Sequence, residues 1–318
     1  MNKKTLFALA AILLCLSLFS SCRSIRTQNY EITQEKKSQK ETIRIVQISD
    51  FHSNDFGKNE AKLIEKVKAA QPDLIVLTGD IFDFDRPGIK PVQNVKYLLE
   101  GITPLCPVYY VSGNHEYYNY HNDEYNYMIE DYGGKLLKNK AEKITIKNVE
   151  IIIAGLDDPF ADLDIEHREK KFESKEKYRA RISDVCNQAA ELMNDNVFCT
   201  ILLAHRPEYI REYLSGSFSF DLILSGHAHG GQWRFPGING LYAPMQGLFP
   251  KFAGGRYDFN SENQLMKKNH SEKESRVFIV SRGLSYQSPW IPRIMNNPEL
   301  VVINISAAEL PPLSSSLQ

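Results

Sequence analysis

The sequence is poor in the features that mark several protein classes. Its 318 residues hold only five cysteines, too few for a disulfide-built scaffold. Neither sign of charge dominates: 38 basic residues meet 39 acidic ones, for a net charge of -1. That balance excludes a broadly basic nucleic-acid binder and a polyacidic disordered chain. The apolar run at the start, Thr5 to Ser20, falls short of the ~20 residues of a membrane-spanning helix. There is no internal repeat. What is present is ordinary: 42% apolar and 24% charged residues, enough to bury a sizeable core without staples.

The N-terminus reads as an address. Lys3 and Lys4 precede the apolar run, which ends in Phe19-Ser20-Ser21-Cys22. This fits a secretory signal over residues 1–22 and resembles a bacterial lipoprotein signal lipidated at Cys22, with a plain cleaved signal or a retained anchor as alternatives. Residues 23–40 lack an apolar period and read as a flexible linker whose basic residues are solvated or lie near anionic headgroups. Without Cys15 and Cys22 the chain keeps Cys106, Cys186 and Cys199, an odd number that argues against a full disulfide framework. These readings make the protein an exported one, membrane-anchored in the cell envelope or free outside the cytoplasm.

From there strands and helices alternate. Strands are expected at Thr42 to Ser49, Asp73 to Thr78, Val108 to Ser112, Thr200 to Ala204, Asp221 to Leu224, Val277 to Ser281 and Leu300 to Ile305. A hairpin turns at Lys147-Asn148. Helices are expected at Ala61 to Ala70, at Asn94 to Glu100 and within 166–194, where Ile182, Val185, Ala189 and Leu192 fall at helical spacing. Continuous apolar strands imply cover on both faces, hence a layered α/β fold. Residues 41–308 read as one large domain, followed by a loose tail at 309–318.

The chemistry sits where strands end. Asp50-Phe51-His52 follows the first strand and Gly79-Asp80-Ile81-Phe82-Asp83 the second. Gly113-Asn114-His115-Glu116 follows the third. His205-Arg206-Pro207 and Gly226-His227-Ala228-His229 follow two later ones. The carboxyl ends of strands are where open α/β sheets build their sites. Asp, His and Asn without thiolate suit Mn, Fe or Zn. Seven such residues exceed the need of one ion and suit two ions sharing a carboxylate.

The series D-x-H, G-D-x-x-D, G-N-H-E, H, G-H-x-H resembles the calcineurin-like metallophosphoesterases. Gly226 to Gln232, Ala154 to Pro159 and Ser281 to Leu284 point to the bacterial membrane-associated branch that includes YkuE and YaeI. The resemblance implies an α/β/β/α sandwich with its metal site at the carboxyl ends of the strands. It implies that Asp50, His52 and His229 hold one ion, that Asn114, His205 and His227 hold the other, and that Asp80 bridges them. His115 would assist the leaving group while a hydroxide between two divalent ions attacks phosphorus. Phe51 and His52 stand in the region where purple acid phosphatases would carry a metal-bound tyrosine, which argues against that branch.

The implied activity is hydrolysis of phosphate esters, foremost diesters. A UDP-2,3-diacylglucosamine-type pyrophosphatase, a monoesterase and a non-catalytic metal-bearing surface module are the alternatives. The intact His115 argues against the last of these. Near-neutral charge disfavours a nucleic-acid substrate. Asp83 either orients His115 and neighbouring groups or is a loop or capping carboxylate. Arg206 and Arg282 either clamp a phosphate oxygen or form ion pairs. Tyr117 to Tyr127 either walls the site or packs on the sheet, and His121 within it reads as a surface residue. Loops with Trp233, Phe235, Pro236, Trp290, Ile291 and Pro292 either face lipid, favouring a lipid-linked substrate and an N-terminal membrane anchor, or are buried.

Overall fold

The computed structural model describes Thr5 and residues 24–34, 41–83, 91–118, 122–162, 174–260, 264–265, 276–286 and 292–307. The signal segment, except for Thr5, the tail 309–318, His121, Trp290 and Ile291 lie outside the described residues. So do Cys15 and Cys22. The first seven strands are β1 (Arg26–Gln34), β2 (Ile43–Ile48), β3 (Leu74–Thr78), β4 (Val108–Val111), β5 (Lys135–Leu136), β6 (Lys140–Ile146) and β7 (Val149–Leu156). The others are β8 (Val197–Ala204), β9 (Leu222–Ser225), β10 (Tyr242–Ala243), β11 (Gly247–Leu248), β12 (Gly255–Phe259), β13 (Arg276–Val280) and β14 (Glu299–Ala307). The helices are α1 (Ala61–Ala70), α2 (Pro91–Ile102), α3 (Asn114–Tyr118), α4 (Asn122–Asp131), α5 (Lys175–Leu192) and α6 (Ile210–Leu214).

Two six-stranded sheets carry the fold. One runs β1-β14-β2-β3-β4-β5, the other β12-β13-β9-β8-β7-β6. Side chains alternate across each strand. In β2, Ile43 and Ile45 face the opposite sheet while Val46 and Ile48 face the helical layer. In β8, Ile201 and Leu203 point between the sheets and Leu202 and Ala204 point outward. Both faces are buried, which is why these strands are mostly apolar, with Arg44 and Gln47 of β2 and Thr200 of β8 as exceptions. Helices α1 and α2 cover the first sheet through Leu63, Val67, Leu98 and Leu99. Helix α5 covers the second through Tyr178, Ile182, Val185 and Ala189. The result is the layered α/β sandwich expected from the pattern.

Local chemistry sets the boundaries. Helix α1 ends where Gln71 turns left-handed (φ 49°) ahead of Pro72. Helix α5 starts where the Ser174 hydroxyl accepts the Lys177 amide. Residues 166–173 of the expected helix lie outside the described residues. Lys147 and Asn148, both at positive φ, close the β6–β7 hairpin as a type I′ pair.

One expectation needs correction. The segment 23–40, read as a flexible linker, contains β1, which pairs in parallel with β14 from Arg26 opposite Glu299 to Gln34 opposite Ala307. An edge strand packs one side only, and here Ile32 alone is buried. Nothing in such a segment produces an apolar run. The three described cysteines, Cys106, Cys186 and Cys199, are free thiols. Cys199 lies in the core between the sheets. Among the described residues no helix is long and apolar enough to cross a membrane.

Candidate metal centre

Five strand ends converge in one pocket. Asp50 and His52 follow β2, Asp80 follows β3, Asn114 and His115 follow β4, His205 follows β8, and His227 and His229 follow β9. Asp50, His52, Asp80, His227 and His229 all adopt positive φ, between 47° and 64°. Left-handed backbone at non-glycine residues costs of order 1–3 kcal/mol each and persists only where surroundings enforce it. The enforcement is visible. The amides of Asp50, His52 and Ser53 donate to the carbonyls of Gly79, Asp80 and Ile81, so the two loops run side by side. The buried Glu116 carboxylate accepts the amides of Asp80, Ile81, Phe82 and Gly113 at 2.7–3.1 Å. Burial, and next the charge of Asp80, push the Glu116 carboxyl up to about 7. Gly226 is required by close approach: a Cβ there would collide with Ser49 Oγ and Asp50 Oδ2.

The side chains form three overlapping groups. Asp50, His52, Asp80 and His229 offer ligand atoms within 4.8 Å of one another, and Asp80, His205 and His227 do the same. Asp80 belongs to both. The third group is His52, Asp83 and His115. The His205 ring donates through Nδ1 to the Thr78 carbonyl at 2.8 Å. Its Nε2 therefore faces Asp80 Oδ2 at 3.2 Å and His227 Nδ1 at 3.2 Å. Asp50 is braced by the Ser49 hydroxyl at 2.7 Å and the His227 amide at 2.9 Å.

The donor set passes a simple test for a divalent cation. His52 Nε2, Asp80 Oδ2 and Asn114 Oδ1 are buried and have no hydrogen-bond partner. Buried polar atoms rarely go unpaired, so three of them in one pocket mark a place for something that accepts lone pairs. Burial drives His227 and His229 well below the ordinary imidazole range, helped by the Arg206 charge for the former and His52 for the latter. Both rings are thus neutral, the ligand state. Burial also opposes charge on His205, yet the Asp80 carboxylate raises it to about 10. A bound cation would displace that proton.

The open alternatives can now be described. Asp83 Oδ1 lies 3.1 Å from His115 Nδ1 and 3.8 Å from His52 Nδ1, facing both rings. Burial works to raise the Asp83 carboxyl, but these contacts hold it well below the usual range. Arg206 is buried and ion-paired, with Nε 2.6 Å from Asp158 and Nη1 3.3 Å from Glu208. Arg282 Nε lies 3.1 Å from Glu299. The tyrosine-rich segment divides. Tyr117 bonds Asp157 at 2.6 Å, and Tyr125 stacks on Phe82 in the core. Tyr118 instead lies between the rings of His115 and Phe160, at 5.4 and 5.2 Å, on the rim of the pocket.

Three contributors had no role assigned from sequence. Glu116 stands in the G-N-H-E run, but its four amide partners have no sequence signature. Glu208, three residues after His205, places Oε1 3.8 Å from His227 Nε2. Arg293 Nη2 approaches His229 Nδ1 at 3.5 Å from a segment 64 residues away.

The family model described as calcineurin-like phosphoesterase matches residues 43–231, a span that contains every ligand candidate. An uncharacterized metallophosphoesterase of Campylobacter jejuni, Cj0846, is 28% identical over 307 residues, covering 95% of this chain and 68% of that one. One from Aquifex aeolicus is 26% identical, covering 88% of this chain and 92% of its own. YkuE of Bacillus subtilis, also an uncharacterized metallophosphoesterase, is 28% identical, covering 83% and 79%. Strand-end Asp and His residues gathered around a shared carboxylate agree with that match, and the chain belongs to the calcineurin-like phosphoesterase family, a metallophosphoesterase that hydrolyses phosphoric esters.

Proposed function

We propose that the protein is a phosphodiesterase working with two divalent ions drawn from Mn, Fe and Zn. The observation that carries this reading is Asp80. Its Oδ2 is buried, without a hydrogen-bond partner, and sits between the His52 and His205 rings at 3.6 and 3.2 Å. A carboxylate so placed suits two ions at once. Asp50, His52, Asp80 and His229 would hold one ion, and Asp80, Asn114, His205 and His227 the other. Such ions polarise phosphoryl oxygens and lower the pKa of water.

The chain's own residues do the rest. His115 is held by Asp83, whose carboxylate accepts from Nδ1 at 3.1 Å and so orients the ring. Nε2–H then donates to the departing oxygen. The His115 amide meanwhile donates to Asp80 Oδ1 at 2.8 Å, so the acid and the shared carboxylate are fixed by one residue. Tyr118, backed by the buried Phe160 ring, offers an aromatic face at the rim against which a leaving group packs. The N-terminal run and Cys22 support an exported protein anchored at a membrane, with a lipid-linked diester as the substrate class.

The test compares bis-p-nitrophenyl phosphate with p-nitrophenyl phosphate in Mn²⁺, for wild type and His115→Ala. Faster metal-dependent turnover of the diester supports the reading, with His115→Ala down by about 10²–10⁴-fold in kcat and its metal content unchanged. Turnover mainly of the monoester would reject the diester assignment, and loss of metal in the variant would reject the acid role.

A further inference from the structure

The strand β1 fixes where the chain enters the domain. Arg26 pairs with Glu299 at the start of β14, and β14 runs antiparallel to β2, with Val301 opposite Gln47. The beginning of β1 therefore lies at the Asp50 end of β2, the end that carries the metal pocket. Asn297 Nδ2 donates to the Ser24 carbonyl at 3.2 Å. Its neighbour Asn296 donates to the carbonyls of His229 and Gln232 at 2.8 and 3.1 Å. Between Ser20, the last residue of the apolar run, and Arg26 stand five residues. Fully extended they span roughly 20 Å.

The same end carries most of the large apolar side chains that are exposed among the described residues. Twelve are exposed among the described residues, and seven of these are Phe235, Ile238, Tyr242, Met245, Leu248, Phe249 and Met295. Leu248 and Phe249 are 68% and 66% exposed. They belong to one knot of backbone. Trp233 bridges Ile294, next to Met295, and the Leu241 amide donates to Trp233 while the Phe249 amide donates to Leu241. Lys251 stands beside the patch with Nζ 5.2 Å from the Phe252 ring. An apolar patch with a basic flank, reached by a short link from an apolar run, has the makeup of a membrane-interface surface.

We propose that this edge, led by Met245, Leu248 and Phe249, rests in the bilayer interface and turns the metal pocket toward phosphate esters at that surface. The proposal rests on the reading that the N-terminal run holds the chain at a membrane. The short link then brings the pocket end, and not the opposite end at Lys147, to the lipid. Lys147 serves as the reference because its Nζ bonds the Thr42 carbonyl, at the far end of β2.

The test uses the full chain in vesicles of phosphatidylethanolamine and phosphatidylglycerol. A fluorophore is placed at Leu248→Cys or Lys147→Cys, with the unsubstituted chain correcting for native thiols. Lipids carrying a shallow nitroxide should quench position 248 at least about twofold more than position 147. In parallel, Leu248→Asp with Phe249→Asp should hydrolyse soluble bis-p-nitrophenyl phosphate as wild type does. The same variant should lose about tenfold on hexadecyl p-nitrophenyl phosphate embedded in the vesicles. Flotation with the vesicles but equal quenching at both positions overturns the docking and leaves the anchoring intact. Failure to float overturns the anchoring and the docking with it. A dimer that dissociates in the double variant, without quenching, assigns the patch to a second copy and overturns the proposal.

Discussion

The two halves of the metal pocket share Asp80 and differ in nearly everything else. One half, Asp50, His52, Asp80 and His229, contains two carboxylates, and the His229 side chain keeps 15% of its surface exposed. The other, Asp80, His205 and His227, with Asn114 added by the two-ion proposal, contains one carboxylate and is closed. Beside it the Arg206 guanidinium stands 3.3 Å from His227 Nε2. Their origins differ as well. The first takes three of its four residues from the β2 and β3 ends of one sheet. The second draws two from each sheet. The anionic, open half is suited to take up a cation readily. The closed half, next to a positive charge, depends on neutral donors held in the right tautomer.

The strongest way to break this comparison is Asp80→Asn, which removes the common element. Both ions should be lost to metal analysis, and kcat/KM should fall by more than about 10³-fold, or ~4 kcal/mol. Asp50→Asn, by contrast, should empty the first half alone. Glu116→Ala should weaken the scaffold beneath both halves equally by leaving four buried amides unmet. A cost of about 3 kcal/mol, or ~6–10 °C in Tm, is expected by calorimetry.

Glu208→Ala addresses the closed half. Glu208 Oε1 accepts from Arg206 Nη1 at 3.3 Å, and that same guanidinium nitrogen stands 3.3 Å from His227 Nε2, so the carboxylate positions the group beside this ring. Affinity for the second ion should drop about 10–100-fold in a metal titration while the first is unchanged, and Glu208→Gln should restore most of it. The smallest effect belongs to a buried carboxylate outside the pocket. Burial raises Glu60 from 4.5 to about 8. The folded state therefore keeps a proton that the unfolded chain releases, and stability should decline as pH rises between these values, then level off. Glu60→Gln should remove the decline. The gain is about 1 kcal/mol at pH 8.5 by thermal melts, modest because Glu60, though covered, lies only partly removed from solvent screening.

Much of this architecture was readable in advance, for identifiable reasons. Ile43 to Ile48 and Val197 to Ala204 carry apolar residues on both faces, broken only by Arg44, Gln47 and Thr200, so the strands and the double layer announce themselves. The ligand candidates stand directly after those strands. What stayed hidden depends on backbone or on distance in sequence. Glu116 works through amide hydrogens, which every residue but proline possesses. Glu208 and Arg293 matter only through their approach to His227 and His229. Strand β1 was missed because hydrogen bonds to β14, and one buried isoleucine, hold a segment that is otherwise polar.

That strand also constrains the order in which the protein is made. Its partner β14 lies 273 residues later, so β1 waits for a strand made long after it. Until Glu299 to Ala307 emerges, β1 has no place in the sheet and β2 lacks its antiparallel neighbour. Closing so long a loop is slow. The sheet that supplies Asp50, His52 and Asp80 is thus completed only once β14 has been made, and a chain cut before Glu299 would leave β1 without its partner.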